Sequence, residues 1–104
     1  MATQFGDRIR ELRTKQGLRL RQIASMLEVD ASIVSKIELG ERRAKKEQVM
    51  QLADIFQTSK DELLTLWLAD QLYEIVKDEH VADDALKSVS KKIKKNGKSA
   101  NGKS

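Results

Sequence analysis

The sequence predicts an all-α fold, and three observations carry that prediction. The 104 residues hold no proline and five glycines, two of them (Gly97 and Gly102) at the extreme C-terminus, so the body of the chain is short of helix breakers. Apolar residues recur at three- and four-residue spacing along most of its length. The first and third of these runs stop at a glycine, Gly17 and Gly40, where a helix C-cap would place one.

The elements follow in order. Phe5, Ile9 and Leu12 form one stripe between Asp7, Arg8, Arg10, Glu11 and Arg13, predicting an amphipathic first helix that ends near Gly17. Leu20, Ile23, Ala24 and Leu27 predict a short second helix. Asp30 stands as an N-cap before a third helix with Ile33 or Val34 and Ile37 on its inner side. A basic loop, Glu41 to Lys46, leads to a fourth stripe of Val49, Leu52, Ala53 and Phe56. Thr58 or Ser59 can cap a fifth helix, with Asp61 and Glu62 placed well for its N-terminal dipole. That helix is expected to reach about Lys77. After a break at Asp78–His80, Ala82, Ala85, Leu86, Val89 and Ile93 make a weaker stripe.

Composition narrows the function. Apolar residues at 39% and charged residues at 35% suit a single soluble domain with a modest core. The absence of cysteine excludes disulfides, a thiolate nucleophile and cysteine-ligated zinc. No apolar run approaches the roughly 18 residues of a membrane span, and the N-terminus lacks the apolar stretch of a signal peptide, so a cytoplasmic setting is expected. Charge is segregated. Residues 1–60 carry a net +4, residues 61–90 a net −6 and residues 91–104 a net +6. Basic blocks attract nucleic acid at long range, although solvated surface alone also accounts for charge.

Residues 20–39 read as two short helices with a tight connection. Ala24 is small where a second helix crosses closely, and Ile23, Leu27, Val29, Val34 and Ile37 are apolar where the pair seats on the domain. The outward positions of the second member are Ala31, Ser32, Ser35 and Lys36. Short or hydrogen-bonding side chains there let a helix enter a major groove, where Lys36 can reach a guanine edge or a phosphate. The plain alternative is that they are ordinary solvent-facing positions.

The stretch from Phe5 to Leu64 resembles the Cro/C1-type (Xre-family) helix-turn-helix domain. Ile9-Arg10-Glu11-Leu12-Arg13, Gly17-Leu18, Ile23-Ala24, the run Val29 to Arg42 containing Ser35-Lys36-Ile37-Glu38 and Gly40, Leu52-Ala53, and Asp61-Glu62-Leu63-Leu64 match that family's pattern in register over about sixty residues. The resemblance implies a five-helix lambda-repressor-like domain in which helix three reads DNA. It implies base contacts from Ala31, Ser32, Ser35 and Lys36, and backbone contacts from Arg42, Arg43, Lys45 and Lys46. It also implies an ion pair between Arg10 and Glu38. The sequence departs from the pattern in three places. Arg19–Leu20 replaces the usual Ser/Thr–Gln start of helix two, so Arg19, Arg21 or Gln22 would supply the phosphate contact. Glu28 replaces the turn glycine, at roughly 1 kcal/mol for a left-handed backbone. Ala44 replaces a proline and is followed by two lysines.

The fifth helix has few polar positions between Leu63 and Leu68, and a small domain cannot bury every side of a terminal helix. Leu66, Trp67, Leu68, Leu72, Ile75 and Val76 are therefore expected at a two-fold dimer interface. The organisation expected is a DNA-binding domain over residues 1–64, a dimerisation extension ending in a short helix over 65–95, and a disordered basic tail over 96–104. His80, the lone histidine, lacks partners for metal or catalytic work, so no enzyme, cofactor, metal or small-molecule ligand is expected. The function expected is a homodimeric, autoregulatory regulator of double-stranded DNA, resembling the small controller proteins of restriction-modification systems. A second reading is an antitoxin whose C-terminal helices hold a toxin protein.

Overall fold

The computed structural model describes residues 2–100, with side chains as far as Asn96. Among the described residues there are six helices and no strand: α1 (Gln4–Lys15), α2 (Leu20–Leu27), α3 (Ala31–Glu38), α4 (Lys46–Phe56), α5 (Lys60–Val76) and α6 (Ala82–Ala100). Two compact units divide the chain, Met1–Leu72 and Tyr73–Ser104, and the boundary falls inside α5.

The first unit is built on the stripes that the sequence displays. Phe5, Ile9 and Leu12 of α1, Ile23, Ala24 and Leu27 of α2, Val34 and Ile37 of α3, and Val49, Leu52, Ala53 and Phe56 of α4 share one core with Ala44 and Leu63. Fully burying each of the larger side chains contributes about 1.5–3 kcal/mol. Leu18, Leu20, Val29, Ile33, Leu64, Leu66 and Trp67 pack around its rim.

Close packing of α1 on α3 depends on Gly6. A Cβ there would stand 2.5 Å from the carbonyl oxygen of Glu38 and 2.7 Å from that of Ile37. Both are backbone atoms at the end of α3, so no rotamer change relieves the clash. The N-terminus of α1 is also closed from within the unit. The Thr3 hydroxyl accepts from the Gly6 amide at 2.9 Å, and the Asp70 carboxylate on α5 accepts from the Gln4 and Phe5 amides at 3.0 and 2.9 Å. These are the amides a helix start leaves without partners, and an anion there also suits the dipole.

Glu38 is the one charged residue in this core, 6% exposed. The resemblance implies Arg10 as its partner, and the structure corrects that. Arg13 donates to Glu38 through Nε at 2.7 Å and through Nη2 at 3.0 Å, and a third donor, Nη1, reaches the Leu18 carbonyl at 3.1 Å. Arg13 lies two turns beyond Gly6 on the same side of α1, the side laid against α3. Arg10 is rotated off that side and exposed.

The second unit departs from expectation in length. α6 is the longest helix, at 19 residues, and not a short one. Residues 96–100 are helical although the sequence predicts a disordered tail from 96. Asn96 and Gly97 are poor helix formers, but extension of an established helix adds a hydrogen bond for each residue fixed and carries α6 through them. The rest of that tail, 101–104, lies outside the described residues.

Candidate nucleic-acid interface

α2 and α3 are joined by three residues whose geometry turns the chain between them. Glu28 ends α2 with φ 60° and ψ 44°, a left-handed backbone in a residue with a Cβ. Asp30 stands at the N-cap of α3 in extended conformation, but its carboxylate makes no capping hydrogen bond. The amides of Ala31 and Ser32 thus begin α3 without a capping side chain from Asp30.

One side of α3 is sealed and the other is open. Val34, Ile37 and Glu38 are buried. Ser32 and Lys36 are exposed, and Ser35 is half-buried between them. Ala31 is also half-buried and packs on the core rim. Leu39, 47% exposed, extends the same stripe at i, i+4 and i+7 from Ser32 and Lys36. The sequence pattern contains this spacing, but nothing local marks Leu39 as outward until the helix is seen to present it. An apolar side chain there can contact a thymine methyl group.

The loop after α3 is held at both ends and in its middle. Gly40, at φ 76°, lets the chain reverse. The Gly40 amide then donates to the Ile37 carbonyl at 3.1 Å and the Glu41 amide to the Lys36 carbonyl at 2.9 Å, the paired bonds of a Schellman motif. Ala44 is buried, and its carbonyl accepts from the Trp67 indole Nε1 at 2.8 Å. The Lys45 amide donates to Gln48 Oε1 at 2.9 Å. Arg42, Arg43 and Lys45 are exposed between these anchors, and Lys46 is already in the first turn of α4.

The start of α2 is arranged in the same way. Arg19 is the N-cap residue, and its amide donates to Gln22 Oε1 at 2.7 Å. That leaves the Gln22 side-chain amide as a donor. Arg19, Arg21 and Gln22 are all exposed, while Leu20 between them packs on the core rim. Gln48, absent from the sequence-based set, repeats this arrangement at the start of α4.

Ion pairing separates these cations from every other cation of the first unit except Arg10, which is exposed and likewise unpaired among the described residues. Among the described residues, none of Arg19, Arg21, Lys36, Arg42, Arg43, Lys45 and Lys46 has a carboxylate within 4.0 Å. Elsewhere Arg8 meets Glu11 and Glu62, Arg13 meets Glu38, Lys15 meets Glu11 and Lys60 meets Asp54. Seven uncompensated cations around an open helix face make a surface suited to phosphate.

The candidate dimer residues divide in two. Leu66 and Trp67 pack against the domain's own core, with the indole tied to Ala44. Val76 is half-buried. Leu68, Leu72 and Ile75 are 52%, 45% and 72% exposed and fall at i, i+4 and i+7. His80 is exposed in the turn between α5 and α6, and among the described residues no group of His, Asp and Glu is placed to hold a metal ion. No helix among them is long and apolar enough to cross a membrane.

Comparison with known proteins agrees with this geometry. The family model described as a helix-turn-helix domain matches residues 4–66. The HTH-type transcriptional regulator AnsR of Bacillus subtilis is 41% identical over 58 residues, which span 56% of this chain and 50% of that protein. The chain thus aligns with about half the length of that relative. Among solved structures, the restriction-modification controller protein C.AhdI of Aeromonas hydrophila superposes with a TM-score of 0.53 at 36% identity, over 57% of this chain and 89% of that one. A hypothetical protein from E. coli superposes with a TM-score of 0.65 at 28% identity, over 83% and 88%. The chain belongs to the helix-turn-helix domain family, as a Cro/C1-type member.

Proposed function

We propose that the protein is a transcriptional regulator that binds double-stranded DNA sequence-specifically, as a homodimer on a palindromic operator, and controls its own gene. The observation that carries this reading is the open face of α3 set among seven unpaired cations. Ser32, Ser35, Lys36 and Leu39 read base edges in the major groove. Arg19, Arg21, Gln22, Arg42, Arg43, Lys45 and Lys46 hold the phosphates on either side. Leu68, Leu72 and Ile75 supply the apolar face for the second protomer. Two reading helices related by a two-fold axis would address half-sites about 34 Å apart, or a multiple of that.

The similarity to the restriction-modification controller protein C.AhdI supports a controlling role.

The test is footprinting of the purified protein on the DNA upstream of its own gene, across a salt series. Two protected half-sites of related sequence are expected, with affinity falling steeply as salt rises. Equal affinity for that DNA and for random duplex would overturn sequence-specific regulation.

A further inference from the structure

α6 carries an apolar stripe that its own unit leaves open. Ala82, Leu86, Val89 and Ile93 are spaced four, three and four residues apart, the repeat of a helix that packs along another helix. Leu86, Val89 and Ile93 are 37%, 50% and 60% exposed. Charge along the same segment is strongly polarised. Asp78, Glu79, Asp83 and Asp84 lie before or within its first turn, and Lys91, Lys92, Lys94 and Lys95 lie in its second half.

We propose that a second copy of this chain covers that stripe, with the two α6 helices antiparallel. The proposal rests on the homodimer reading above and adds to it a surface and an orientation. In the register that sets Leu86 against the partner's Val89 and Ala82 against the partner's Ile93, Asp83 and Asp84 of one protomer stand level with Lys92 and Lys91 of the other. The match occurs twice, once at each end, as a two-fold axis between Leu86 and Val89 requires. A parallel pair in register would place acid beside acid and lysine beside lysine, which is destabilising. Asp83 meets Lys87 of its own helix at 3.1 Å, but that pair is exposed and contributes little, so it does not compete with the arrangement.

The absence of cysteine makes the orientation directly measurable. Two full-length variants, Ala82→Cys and Ile93→Cys, one bearing an affinity tag, are mixed and oxidised. Circular dichroism checks that each keeps its helix content. The mixed disulfide between positions 82 and 93 is expected to exceed both same-site disulfides. Changing Lys91, Lys92, Lys94 and Lys95 together to Glu is expected to raise the dimer dissociation constant tenfold or more, since like charges then line both helices.

Dominance of same-site disulfides would overturn the antiparallel arrangement. A dimer by sedimentation equilibrium with no disulfide at either position would overturn the role of α6 and leave the homodimer standing. A monomer at all concentrations would overturn both.

Discussion

Arg13 grips Glu38 with two hydrogen bonds, at 2.7 and 3.0 Å, and joins α1 to the last turn of α3. Glu38 follows Lys36 by two residues, so the pair fixes the end of α3, the proposed reading helix. Desolvating two charges makes such a pair a weak source of net stability, but removing one partner leaves the other charged and enclosed. Arg13→Met is expected to cost on the order of 3 kcal/mol by urea denaturation, whereas Arg10→Ala stays within about 0.5 kcal/mol as an exposed substitution. Equal losses from the two changes would contradict the pairing.

Glu28 tests the turn. Its left-handed backbone costs about 1–2 kcal/mol with a Cβ present. Glycine removes that strain but loses roughly 0.5–1 kcal/mol through the greater freedom of the unfolded chain. Relief is the larger effect, so Glu28→Gly should stabilise the protein by about 0.5–1 kcal/mol. A rise in the urea midpoint at unchanged slope is the expected result.

The reading face and the loop should fail differently. Lys36→Ala, Ser35→Ala and Leu39→Ala are each expected to reduce discrimination between the operator and single-base variants by about 1–3 kcal/mol. Arg42→Ala with Arg43→Ala should weaken every duplex alike and flatten the salt dependence by about two phosphate contacts. Electrophoretic titrations at several salt concentrations separate the two patterns. Equal losses on operator and random DNA from the Lys36 and Ser35 changes would remove those residues from the reading set.

Acid should loosen the tie between α1 and α5. Arg8 donates to Glu62 at 2.7 Å and to Glu11 at 2.8 Å, and these hydrogen bonds hold both carboxyls below the usual glutamate value. Both groups bind protons more readily in the unfolded chain, so their contribution is fully present above the ordinary glutamate value of about 4.3. It is lost as pH falls through the lower values they have in the folded state. The stability difference between wild type and Arg8→Gln should accordingly be constant near neutrality and shrink below about pH 4. A difference that grows on acidification would reverse the assigned sign.

Much of this was legible in the residues because local rules dominate there. Phe5, Ile9 and Leu12 show helical spacing and are buried, and Gly40 sits where a left-handed residue ends α3. The unpaired cations of the loop lie in one short run of sequence. What stayed hidden depends on how helices cross. Choosing Arg13 over Arg10 requires knowing which side of α1 meets α3, and Gly6 sets that side through a contact with residues more than thirty positions away. Asp70 serves the first turn of α1 from 66 residues downstream, a partnership no local pattern announces. Trp67 reads as interface from its neighbours, yet its indole is taken by Ala44.

That last bond gives the molecule an optical gauge. The chain holds one tryptophan, and its ring nitrogen donates to the carbonyl of Ala44, the residue after Arg43. Emission from this ring is therefore expected to shift if the arginine segment is displaced. If the loop holds the phosphates as proposed, binding of a duplex is expected to change that emission without any attached dye.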